Sequence, residues 1–135
     1  MLAALCAVNL LKWHSLTSCP WDLTSFGGAA RHVSHWRWGV ADGGGGRCFP
    51  GGHASSAFAY IGLALPGLAR RQRRGWAWLG IVLFFGSVAG LTQTLRGAHY
   101  PSHTLWTLVG CLSAALTVWT ALLRAHQPKP SRKGR

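Results

Sequence analysis

Acidic residues are almost absent. The 135-residue chain has two, Asp22 and Asp42, against 14 Lys and Arg. Charged residues make up 12% of it, where an average soluble domain has about 25%. A paired-carboxylate glycosidase, an aspartic protease, and a Mg²⁺ or Ca²⁺ site built from several acids all lack their groups. Both acids lie in the first third, so no carboxylate base stands anywhere after Asp42. Any chemistry must rest on the seven histidines and the cationic side chains. The length suits one domain.

Charge of either sign is missing from two long stretches. Residues 76–95 and 104–123 are each 20 residues long without an ionised side chain. At 1.5 Å per residue each would span about 30 Å, the thickness of a bilayer's hydrocarbon core. A third uncharged run, 54–69, is shorter and carries Pro66 near its end; Arg70, Arg71, Arg73 and Arg74 follow at once. The net charge of +12 therefore reads as that of a membrane protein with basic loops, and not of a nucleic-acid binder. The turn at 70–74 and the tail after Leu123 hold nine of the 14 basic residues (Arg124, Lys129, Arg132, Lys133 and Arg135 in the tail). The positive-inside rule assigns both to the cytoplasm. Residues 12–53 and 96–103 then share the outer face, periplasmic in a Gram-negative source. Trp13, Trp21, Trp36, Trp38, Trp76, Trp78 and Trp106 fall near expected helix ends or in the long loop, as interfacial aromatics do.

The expected fold is all-α: an integral membrane helical bundle of about three full transmembrane helices plus an N-terminal half-helix. Residues 1–11 are apolar but only half a span long, and lack the basic start and cleavage site of a signal peptide. They read as the second half of a helix that begins outside this chain, so a fragment with missing N-terminal helices, or an oligomer partner replacing them, is expected. The membrane-embedded domain is placed at 1–124, with an outer-face loop at 12–53 and a basic cytoplasmic tail at 125–135 drawn to anionic lipid.

Two places in the outer segments carry chemistry, and a third only looks as if it does. The tetraglycine at 43–46 is not followed by Lys-Ser or Lys-Thr, so it is no P-loop and reads as a flexible hinge. Next comes Cys48-Phe49-Pro50-Gly51-Gly52-His53, where glycines precede an expected helix start at about His53. Free backbone N–H groups there suit a phosphate, and a His is well placed to protonate a leaving oxygen. A bland turn before a membrane helix would look similar. The other turn holds Gln93, Arg96, His99, Tyr100, Pro101 and His103. Arg96 would be costly inside the bilayer and marks a helix end or a site. His99 and His103 are four apart, a spacing that suits one helix face, zinc ligation, or simple capping at the interface.

Taken together these segments resemble the type 2 phosphatidic acid phosphatase superfamily, whose pattern is KxxxxxxRP, then PSGH, then SRxxxxxHxxxD. Lys12 is followed after six residues by Cys19-Pro20; Pro50-Gly51-Gly52-His53 comes second; Thr92-Gln93, five residues, His99, three residues and His103 complete the order. The resemblance runs from Lys12 to about Trp106. It implies metal-independent, cofactor-free hydrolysis of a lipid phosphate monoester or pyrophosphate. His99 would be the nucleophile that forms a phosphohistidine, and His53 the general acid. Lys12 and the amides of Gly51 and Gly52 would hold the phosphoryl oxygens.

The departures from the pattern are specific. Cys19 stands at the first motif's Arg, Gly51 at the second's Ser, and Thr92-Gln93 at the third's Ser-Arg. His103 replaces the Asp that would orient the nucleophile. Each lost charged hydrogen bond is worth about 1.5–3 kcal/mol. Arg96, three residues after Gln93, is the expected compensation. A neutral His103 can accept a proton from His99 but supplies no negative charge. Cys6 and Cys111 fall in apolar runs and read as small buried hydrophobes. Cys19 and Cys48 share the outer face, and a disulfide between them would tie the first motif's loop to the second.

The expected partners are a lipid phosphate substrate and membrane lipids, with no nucleic acid. The expected setting is a bacterial inner membrane with the site on the periplasmic face. A catalytically silent relative that binds anionic lipid, and a phosphotransferase, are the alternatives. Three spans argue against the superfamily's soluble haloperoxidase branch.

Overall fold

The computed structural model of the chain describes residues 1–37 and 39–127; Trp38 and the tail cations Lys129, Arg132, Lys133 and Arg135 lie outside the described residues. The described residues form five α-helices and no strand: α1 (Leu2–His14), α2 (Gly52–Phe58), α3 (Leu65–Ala69), α4 (Arg73–Leu95) and α5 (Pro101–Ala125). Short 3-10 turns lie at Pro20–Asp22, Thr24–Phe26 and Ala59–Leu63. This is the all-helical bundle the composition called for.

Of these, α4 and α5 are long and apolar enough to cross a membrane. Only 22% and 11% of their most apolar windows is buried within the chain, so their apolar surface faces outward, unlike a core helix of a soluble protein. Their hydroxyls are satisfied locally: Thr92, Thr94, Thr107 and Thr117 donate to the carbonyls of Val88, Gly90, His103 and Ser113. Such back-bonding suits a surrounding without water. Gly97, at φ +70°, ends α4 in a left-handed turn. Pro101, with its preset φ, opens α5.

The third apolar run is present but segmented. Residues 52–69 pass from α2 through the 3-10 turn at Ala59–Leu63 into α3. Pro66 has no N–H for the carbonyl of Gly62, so the α-helical ladder cannot run unbroken there. The Ala64 amide bonds Ile61 three residues back instead.

This segment packs against α1, α4 and α5. Ala4 and Val8 of α1, Ala54 and Phe58 of α2, Ile61, Val82 of α4 and Cys111 of α5 form one buried cluster. The exposed Cys6 stands outside it, so of the two cysteines expected as buried hydrophobes only Cys111 is one. α1 turns one face inward, and its other positions are open. Close approach depends on α4 glycines four residues apart. A Cβ on Gly86 would lie 2.0 Å from the Phe58 ring, and one on Gly90 would lie 2.2 Å from Thr104. The bundle therefore holds α2 and the start of α5 against α4 by shape. Their N-terminal ends carry His53 and His103.

Candidate functional site

Above the bundle, residues 15–51 are built on hydrogen bonds and one covalent bridge. The strand-like segments 15–18 and 46–48 run side by side: Arg47 N donates to Ser15 O at 2.8 Å, and Cys48 N to Thr17 O at 3.0 Å. The Arg47 guanidinium sits 4.3 Å over the Trp13 ring. Asp42 is buried and accepts from Ser18 N, from Ser18 Oγ at 2.9 Å, and from Gly44 N at 2.9 Å. Burial pushes its carboxyl up, but these donors outweigh it and hold the group below its ordinary value. Within the tetraglycine, Gly44 and Gly46 are tied to this clasp, while a Cβ on Gly43 or Gly45 would meet nothing within 4 Å. A Cβ on Gly44 would lie 2.3 Å from Ser18 Oγ, and Gly46 N donates to that same oxygen.

Cys19 and Cys48 form a disulfide with Cα atoms 5.1 Å apart. Trp21 N donates to Gly97 O at 3.0 Å. The bridge joins the first outer segment to the second, and the Trp21 bond joins the first to the third.

Those ties bring most of the singled-out residues together. His99 is buried in the turn between α4 and α5, and its amide bonds Gln93 O. The helix begins only at Pro101, so His99 and His103 do not share one helix. Their rings still meet, with Nδ1 atoms 3.4 Å apart. Cys48 Sγ lies 3.2 Å from His99 Nδ1. As a disulfide sulfur it has no proton, so it can only accept. Both neighbours therefore address Nδ1, and the Nε2 edge faces the other way. There His99 Cδ2 lies 3.6 Å from the Cβ position of Gly51, and the exposed His53 ring is 6.3 Å away between centroids. Lys12, at the end of α1, brings Nζ to 3.2 Å from the Cβ position of Gly52, so a side chain there would displace the ammonium. Burial, then the charges of Lys12 and His53, push the His99 pKa down to about 4.

Two expected site residues are placed differently. Arg96 is exposed at the end of α4, and it is not among the charges that act on His99. The Gly51 amide points at His103 O, 3.4 Å away, and its carbonyl accepts from Thr107 Oγ1 at 2.9 Å. Gly51 is thus tied to α5, and of the two glycines Gly52 is the one beside the ammonium.

A family model described as the PAP2 superfamily matches residues 1–126. The chain belongs to the PAP2 superfamily. No curated protein and no solved structure matches it significantly. PAP2 membership supports a phosphatase-type activity and accords with the membrane-type bundle.

Within this PAP2 chain, His32 and His35 lie about the site although no motif or spacing in the sequence points to them. His35 stacks on Phe49 at 4.4 Å, and both rings meet His103 edge-on, at 5.7 and 5.3 Å. A cavity of about 370 Å³ lies behind His103, lined among others by His32, His35, Asp42 and Tyr100. The buried His35 Nε2 has no hydrogen-bond partner. Thr107, which holds the Gly51 carbonyl, had a readable signal, since it stands one helical turn after His103.

Proposed function

We propose that the chain hydrolyses a phosphate monoester or pyrophosphate carried by a lipid, at the outer membrane surface and without a metal, through a phosphohistidine on His99. The observation that carries this reading is the two-sidedness of the His99 ring. Nδ1 is engaged by Cys48 Sγ and His103 Nδ1, while on the ring's other side Cδ2 meets the Cβ position of Gly51, the His53 ring lies 6.3 Å away between centroids, and Lys12 and His53 are the charges that act on the ring. With its proton on Nδ1, a neutral imidazole keeps a lone pair on Nε2 for attack on phosphorus.

The steps follow from the residues. Lys12 pairs with a phosphoryl oxygen, and Nε2 bonds phosphorus as the leaving oxygen departs with a proton from His53. Water then attacks the phosphohistidine, losing its proton to the now neutral His53, and phosphate is released. His103 accepts the Nδ1–H and fixes the ring as a carboxylate would, without a charge to stabilise the imidazolium. Lys12 and His53 are the charges that act on His99, and no arginine of the described residues is among them, which supports slow turnover. A silent phosphate-binding relative is the second reading. The turn at 70–74 and the tail would face the cytoplasm, with a bacterial inner membrane as the setting.

Phosphate release from a panel of lipid phosphates tests this, comparing wild type with His99→Ala and His53→Ala. Each variant should lose about 100-fold or more, the scale of a lost acid–base or nucleophilic group. Equal release from all three would exclude the mechanism, and no release from wild type would leave the silent reading. Because His99 protonates only near pH 4, kcat/KM should hold between pH 6.5 and 5. An acidic limb set by His99 near 6.5 would contradict that placement.

A further inference from the structure

The bridge beside His99 is also a set of metal donors held shut. The sulfurs of Cys19 and Cys48 and a ring nitrogen of His99 all lie within 4.8 Å of one another. The His99 and His103 Nδ1 atoms are 3.4 Å apart. Two nitrogens each about 2.0–2.1 Å from one tetrahedral zinc are separated by about that distance. Cys48 is buried, while Cys19 is partly open. A cavity of about 290 Å³ is bordered by Pro20, Trp21, Gly97 and His99, and His99 is also the ring that touches Cys48. While the sulfurs are bonded to each other they cannot bind as thiolates.

We propose that reduction of Cys19–Cys48 opens a site for a thiophilic divalent cation of the zinc class, held by the two thiolates, His99 Nδ1 and His103 Nδ1. A dithiol reductant gives each sulfur one electron and one proton and is itself oxidised to a disulfide. On binding, the two thiols release their protons to water as two metal–sulfur bonds form. A neutral His99 that gives its Nδ1 lone pair to the ion must carry its proton on Nε2. Nε2 then has no lone pair to offer. Metal and disulfide thus select opposite tautomers of His99, and the ion acts as an inhibitor. That last consequence rests on the function proposed above; the site itself does not.

The test uses the full chain in detergent, reduced with a phosphine that becomes its oxide, and titrated with Co²⁺. Reduced wild type should take up one Co²⁺ per chain with a thiolate-to-cobalt charge-transfer band, displaced by Zn²⁺. The unreduced chain should show no such band. Reduced His99→Ala should bind about tenfold or more weakly. In the zinc-loaded chain, ring ¹⁵N shifts should place the His99 proton on Nε2. No cobalt–thiolate band after reduction, equal uptake by the unreduced chain, undiminished affinity in His99→Ala, or a proton on Nδ1 with zinc bound would each overturn the proposal. None of these readouts needs phosphate release, so failure here and failure of the phosphatase reading are separable.

Discussion

The long loop at 15–51 and the helical bundle it rests on are held by different physics. The loop keeps its shape through named polar atoms: the Asp42 carboxylate on Ser18 and Gly44, paired backbone segments, and a disulfide. The bundle keeps its shape through fit, with Phe58 seated on Gly86 and Thr104 on Gly90, and presents broad apolar surface outward. Loop contacts are few and directional, so each fails singly. Bundle contacts are many and non-directional, so a failure spreads through a helix pair. The candidate nucleophile sits where the two meet. Its Nδ1 edge touches the loop's bridge, and its backbone hangs from α4 through Gln93.

The largest effect should come from Gly86→Ala. Its Cβ would lie 2.0 Å from a ring that is fully buried and has nowhere to go. We expect a loss of about 3 kcal/mol, at the upper end for overpacking, seen as a large fall in the thermal midpoint of the whole bundle. A midpoint within a degree of wild type would mean that the two helices separate easily.

Next comes Asp42→Ala, which strips acceptors from two backbone amides and a hydroxyl. Each buried group left unpaired costs about 1–3 kcal/mol, yet water can enter a loop and offset part of it. We expect about 2 kcal/mol, confined to the loop. Amide exchange should quicken at Ser18, Gly44 and Gly46 while α4 and α5 stay protected. Uniform quickening would show that loop and bundle open as one unit.

The smallest effect belongs to Gly80→Ala. No atom stands within 4 Å of its Cβ position, so the substitution gains helix propensity and loses no fit. A stabilisation of up to about 1 kcal/mol is expected in the same melt. A destabilisation matching Gly86→Ala would refute the claim that fit, and not glycine itself, decides the bundle.

The same contrast governs what could be read in the sequence. The spans over 76–95 and 104–123 were legible because an uncharged run of bilayer length has few other uses. Their observed bounds, Arg73–Leu95 and Pro101–Ala125, lie within a few residues. Residues 12, 53 and 99 were legible through motif order. The break in the third run was only half announced, by Pro66. The Ser18–Asp42 clasp was invisible because its partners are 24 residues apart and carry no spacing rule. His35 on Phe49 was hidden for the same reason. Arg96 misled: helical spacing from Gln93 puts it on a nearby face, but Gln93 is buried while Arg96, one step past the last turn, is exposed.

The arginine turn between α3 and α4 has an electrical side. Gly67 and Gly75 touch backbone to backbone, where a Cβ on either would lie 2.7 Å or less from the other's chain. That neck closes a hairpin whose tip holds Arg70, Arg71, Arg73 and Arg74, all exposed. The chain cannot lengthen there to spread the four charges, so their repulsion has to be answered from outside. Small counter-ions will crowd at this tip at low ionic strength and disperse as salt shortens the Debye length to about 10 Å or less. The turn is thus a fixed point of high positive potential on an otherwise oily body, and its retention on a cation exchanger should fall steeply with salt.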